Sequence, residues 1–205
     1  MTKEEINKLI EEFQVPKHVQ SHCEKVAKVA IYLARKLIEK GEKIDLELLE
    51  TAAYLHDLVR VVDFKTFTPD KFPNQPTEKE LNKWCELRTN FQGKHHADAA
   101  CEILCTKKYP ELAEMIKKHK FLSIINPKEI PKTWEEKLLF YADKRVNHDQ
   151  IVTLKERFET GRQRNTENKI TKEGTLAEKK IYELEKEIFE KIQLSPDVLT
   201  SQLHP

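Results

Sequence analysis

Apolar residues recur along this chain at spacings of three and four almost without a break, and no turn-bounded run alternates apolar with polar, so the pattern predicts helices throughout. The fold class expected is all-α. A first helix is predicted over about 2–14, stopping before Pro16, and a second over about 17–40, ending at Gly41, a residue suited to a left-handed cap. Asp45 caps a third, over about 46–62, whose Leu49, Ala52, Ala53, Leu55 and Val59 lie on so many sides that it reads as the buried centre of a bundle. From Phe64 to Thr77 the period fails, and three prolines and three phenylalanines mark a loop that either covers a site as a lid or pins an irregular crossover to the body.

Further helices are expected over about 78–90, 94–107 and 109–120. After a break at Pro127–Pro131, Thr133 and Glu136 make a capping box for a helix over about 134–149, and another covers about 151–160. The polar stretch from Gly161 to Glu173 reads as a linker, dividing a body of residues 1–160 from a terminal segment, 161–205. That segment carries an amphipathic helix over about 174–193 with a narrow stripe of Leu176, Ile181, Leu184, Ile188 and Ile192. Such a stripe docks onto its own body or pairs with a second copy as a homodimer.

Composition removes several classes of function. Four glycines, none within a dozen positions of another, leave nothing for a glycine-rich phosphate cradle. Thirty-six Lys+Arg against 35 Asp+Glu give a net charge of +1, so no global field draws the chain to nucleic acid or an anionic membrane. Charges interrupt every apolar stretch short of a membrane span, the amino terminus has no secretory pattern, and a cytoplasmic protein is expected. Its four cysteines are expected as reduced thiols, with Cys101 and Cys105, four apart, offering at most half a zinc site.

The chemistry lies in polar residues on faces that the pattern assigns to the core. At about 100° per residue, His22 falls on the Val26–Leu33–Leu37 stripe while His18 lies farther round. By the same reckoning His56 sits between Ala52 and Val59, and Asp57 aligns with Leu49 and Ala53. His96 follows Ala100, Ile103 and Leu104, with His95 turned away; His119 continues Leu112, Met115 and Ile116; and Asp143 lies between Leu139 and Val146. An unpaired buried polar group costs on the order of 1–3 kcal/mol, and an unpaired carboxylate more, so six unrelated placements would be hard for one small bundle to sustain. A shared metal centre satisfies all six, with imidazoles and carboxylates enough for two divalent ions of iron, manganese or zinc and one carboxylate bridging.

This ordered set, with its contexts HCEKVAKVA, AAYLHDLVR, HADAACEIL and LLFYADKRV, resembles the HD superfamily of metal-dependent phosphohydrolases over about residues 17–150, in the version with two further histidines between the His-Asp doublet and the last aspartate. The resemblance implies an HD-type helical bundle in which His22, His56, Asp57 and Asp143 hold one metal and Asp57 bridges to a second held by His96 and His119. Functional relatives with this set include hydrolases of diadenosine tetraphosphate and cyclic-dinucleotide phosphodiesterases. Arg60 stands where other branches carry a Glu-Asp pair or a catalytic Glu, so those mechanisms do not transfer, and no Gly-Tyr-Pro signature is present.

The expected activity is hydrolysis of a nucleotide or another small phosphate ester by metal-activated water. Asp57 and Arg60 are the expected catalytic residues, and Arg60, Lys144 and Arg145 the expected contacts to substrate phosphate. Two other classes fit the same residues: a di-iron oxygenase, and a non-catalytic nucleotide-sensing module.

Overall fold

The computed structural model describes residues 1–164 and 171–203. Helix α1 (Lys3–Glu12) starts from a capping box between Thr2 and Glu5, and α2 (Lys17–Glu39) starts directly after Pro16, which cannot donate to a preceding turn. Gly41, just past the end of α2, takes a φ of 91°, the left-handed conformation that costs glycine least. Helix α2 is the axis of the molecule. Its Val26, Ala30, Leu33 and Leu37 are wholly buried against α3 (Leu46–Leu55) and α7 (Trp134–Lys144), each leucine contributing roughly 1.5–3 kcal/mol by leaving water.

Around this axis run α4 (Glu78–Asn90), α5 (His96–Thr106), α6 (Pro110–Lys117), α8 (Leu154–Arg164), α9 (Lys172–Ile192) and α10 (Val198–Leu203). Thr77 and Thr133 form the capping boxes of α4 and α7 with Glu80 and Glu136. The fold is an all-α helical bundle, and no helix among the described residues is long and apolar enough to cross a membrane.

Three expectations are corrected. The third helix ends at Leu55, seven residues early, and the chain tightens into three-residue turns through Leu58→Leu55, Arg60→Asp57 and Val62→Val59 bonds, with a 3-10 helix at Arg60–Asp63. Apolar side chains all round the segment made a tight turn look like buried helix. The helix predicted to 149 ends at Lys144, and a two-stranded hairpin follows, β1 (Val146–Asn147) antiparallel to β2 (Gln150–Ile151), turning through His148 at φ 57°. Asn, His and Asp tolerate that conformation better than most side chains, which stops the helix. The linker predicted over Gly161–Glu173 is shorter at both ends, since α8 runs on to Arg164 and α9 starts at Lys172; the stretch 165–170 lies outside the described residues.

The stripe of the terminal helix is occupied within the chain. Ile181, Leu184, Ile188 and Ile192 are buried in the same core as α2 and α7, while Leu176 stays exposed. Arg145, expected at a substrate, is wholly buried in this seam. It donates to Tyr141 Oη (2.5 Å), Glu185 Oε2 (3.1 Å) and the carbonyls of Val152 (2.6 Å) and Pro196 (3.4 Å), binding α7, the hairpin exit and α9 together.

The loop 64–77 is partly ordered by a 3-10 turn at Pro69–Lys71, and its aromatics pack on one another and on the body. Phe72 contacts Phe64, Phe67 and Trp84, with ring centroids 5.5–6.4 Å apart, and the Arg88 guanidinium lies 4.6 Å over Phe67. Phe67 and Phe72 therefore anchor the crossover. Phe64, at its start, faces the imidazole of His18 at 6.1 Å and the guanidinium of Arg60 at 5.3 Å.

Candidate metal centre

The six polar residues come from five places in the chain and meet in one cleft. Their positions follow from helix ends more than from helix faces. His56 is the residue at which α3 stops, and His119 lies two past the end of α6, where the last carbonyls of a helix have no intrahelical donor. Each imidazole adds a donor there: His56 Nδ1 donates to the Ala53 carbonyl at 2.8 Å, and His119 Nδ1 to the Ile116 carbonyl at 2.6 Å, which its own backbone N–H also reaches at 3.2 Å. His96 is the first residue of α5, its backbone N–H and Nδ1 both bonded to Asp63 Oδ2 at 3.0 and 2.8 Å. His22, midway along α2, gives its Nδ1 proton to the carbonyl of His148 in the hairpin turn at 2.8 Å.

With four Nδ1 atoms facing acceptors, the four Nε2 atoms are left to point inward. His22 Nε2 lies 3.0 Å and His56 Nε2 3.7 Å from Asp143 Oδ1. Asp57 divides its oxygens: Oδ1 lies 3.0 Å from His96 Nε2 and 3.7 Å from His119 Nε2, while Oδ2 faces His56 Nε2 at 3.9 Å. His96 and His119 bring their Nε2 atoms within 3.1 Å of each other. The Nε2 of His56 is fully buried and has no hydrogen-bond partner among the described residues.

The electrostatics suit cations. Burial works against the ionised Asp57, but the His56 and His96 rings beside it hold its carboxyl well below the usual range. Burial likewise opposes Asp143, and the Lys144 ammonium with the His22 bond overrides it. His119 is driven down to about 4 by burial, so its ring is neutral at physiological pH. Two ionised carboxylates and four inward imidazole nitrogens are a borderline-hard donor set fit for divalent iron, manganese or zinc. Burial opposes a charge on His56 and His96, but the anionic groups beside them, Asp57 among them, raise both above the ordinary histidine value, so at these two rings a metal ion would take the place of a proton. The groups His22, His56, Asp143 and His56, Asp57, His119 each bring three ligand atoms within 4.8 Å of one another. An imidazole nitrogen buried without a hydrogen-bond partner is a defect in a protein core, and its place between two carboxylates fits a metal ion.

The remaining expected residues stand in different places. Arg60 lies at the rim, half-buried, its Nε 3.8 Å from Asp57 Oδ2 and its guanidinium paired with Asp63. Lys144 is buried behind the cleft, where its Nζ binds Asp143 Oδ2 at 2.6 Å and the His119 carbonyl at 2.7 Å, so it fixes one carboxylate and is not free to meet a phosphate. Arg145 does not reach the cleft, because its guanidinium is committed to Glu185 and Tyr141. No cysteine joins any His/Cys/Asp/Glu group among the described residues, and burial with the neighbouring Cys105 thiol pushes Cys101 up to about 11.

Two residues at the cleft escaped the sequence reading. His95, expected to point away, caps α5 by accepting from the Ala97 N–H at 3.1 Å and lies against His96, ring centroids 4.1 Å apart. Asp63, left between the predicted third helix and the loop that begins at Phe64, is the acceptor behind His96. The signal for it was present: Asp57, Arg60 and Asp63 are spaced by three, the repeat of a 3-10 helix, which stacks them on one face.

No curated protein and no solved structure matches this chain. A family model, described as HD domain, does match residues 19–148, a span from just before His22 to just beyond Asp143. Since that span is well over half of the sequence and contains all six converging residues, the chain belongs to the HD-domain superfamily.

Proposed function

We propose that this protein is a metal-dependent phosphohydrolase acting on a nucleotide or another small phosphate ester. The observation that carries the reading is the buried, unpartnered Nε2 of His56, aimed between Asp57 and Asp143 while three other imidazole Nε2 atoms converge on the same two carboxylates. In this reading His22, His56, Asp57 and Asp143 would hold one divalent ion, and Asp57, His96 and His119 the other. When bound, such a pair would supply hydroxide near neutral pH and polarise phosphoryl oxygens.

The chain's own residues do the rest. Lys144 occupies the second oxygen of Asp143 and keeps the first turned toward the imidazoles. Arg60, whose fork of donors is the most accessible cation at the cleft, receives a substrate phosphate at the rim. Phe64 and the His18 ring beside it offer a flat wall to a base, which fits a nucleotide better than a bare phosphate ester.

The test is turnover of the metal-loaded protein on a panel of nucleotides, dinucleoside polyphosphates, cyclic dinucleotides and base-free phosphate esters. Hydrolysis of at least one, lost in Asp57→Ala, is expected. No turnover on any of them overturns the reading, and dioxygen consumption by an iron-loaded sample would replace it with oxidative chemistry.

A further inference from the structure

The four inward imidazoles are not held alike. His22, His56 and His119 each rest on a neutral backbone carbonyl, those of His148, Ala53 and Ile116. His96 alone rests on a carboxylate. Asp63 Oδ2 takes both the Nδ1 proton and the backbone N–H of His96, at 2.8 and 3.0 Å, while its other oxygen is paired with Arg60. The carboxylate also sits at the positive end of α5, which favours its charge. Two hydrogen bonds to His96 and an ion pair to Arg60 thus fix the carboxylate immediately behind one ligand.

We propose that Asp63 is a positioning residue that makes the two metal positions unequal: the ion shared by Asp57, His96 and His119 depends on it, and the ion shared by His22, His56, Asp57 and Asp143 does not. The inference rests on the two-ion reading above. A carboxylate behind a ligating histidine fixes its ring and raises its basicity, whereas a carbonyl only fixes the ring. Removing it therefore weakens one position selectively.

The nearness of Asp63, His95 and His96, whose ligand atoms also lie within 4.8 Å of one another, is explained without a third ion. The Nδ1 lone pair of His95 is taken by the Ala97 N–H, and the Nδ1 of His96 is already a donor to Asp63.

The experiment is a Mn²⁺ titration of the metal-free full-length protein, with free Mn²⁺ read by electron paramagnetic resonance. Two binding events are expected for the wild type, one lost in His119→Ala. In Asp63→Asn, which keeps the shape and an acceptor oxygen but removes the charge, the event lost in His119→Ala should weaken by about 10-fold, and in Asp63→Ala by up to about 100-fold. The other event stays within about twofold, which also shows that the variants are folded. Equal weakening of both events, or of neither, overturns the proposal while leaving the two-ion reading intact. A wild-type chain that binds no Mn²⁺ overturns that reading and the proposal with it.

Discussion

Glu185→Ala should destabilise the protein by about 3 kcal/mol without touching the metal cleft. Arg145 is 1% exposed, and its only carboxylate partner among the described residues is Glu185 on α9, so the substitution leaves a buried guanidinium with neutral acceptors. Removing one member of a buried ion pair costs roughly 3–5 kcal/mol. The Val152 and Pro196 carbonyls and the Tyr141 oxygen remain to Arg145, which moves the figure to the lower end. Tyr141 adds to it, because its hydroxyl donates to Glu185 at 2.5 Å and would be left buried without an acceptor. For a chain of this length, about 3 kcal/mol lowers Tm by roughly 6–12 °C. Urea denaturation of the metal-free protein, followed by circular dichroism, measures the change directly. Glu185→Gln, which keeps an acceptor for the tyrosine, should lose less. A loss below about 1 kcal/mol for Glu185→Ala would refute the reasoning and show that α9 is held by its apolar face alone.

Asp57→Ala should reduce bound metal to fewer than one equivalent by elemental analysis, since its two oxygens face different imidazoles. His95→Ala should cost about 1 kcal/mol in urea denaturation through the lost cap of α5, with metal content unchanged. Phe67→Ala and Phe72→Ala should lower Tm through their contacts with Trp84 and leave KM alone, whereas Phe64→Ala should raise KM for a nucleotide about tenfold and for a base-free ester much less. Arg60→Met should raise KM for both kinds of substrate; unchanged kinetics would remove Arg60 from substrate binding.

How far the sequence was legible depended on what each residue does. Leu33, Leu37, Leu49 and Leu139 face the core as a 3.6-residue period demands, and apolar burial is what that period encodes. His56 and Asp57 were assigned inward on a helix that does not extend to them, and they are buried because the chain turns there into the same core. His96 needed no face at all, since the first residue of a helix is directed by its cap. Asp63 was missed and Arg145 misread for a shared reason: their roles depend on partners 33 and 40 residues away, which no local window contains. A basic residue beside Asp143 looks the same in sequence whether it meets a ligand or Glu185.

The carbonyls behind three of the imidazoles carry a consequence for mutational scanning. Ala53, Ile116 and His148 orient the cleft through main-chain oxygen atoms that every amino acid possesses. Exchanging the side chain at these positions leaves the acceptor in place, so a residue-by-residue screen would score their part in the chemistry as silent. Backbone editing would expose it: replacing the peptide link after Ala53 or Ile116 by an ester weakens the carbonyl as an acceptor while sparing every side chain, loosening His56 or His119 in turn.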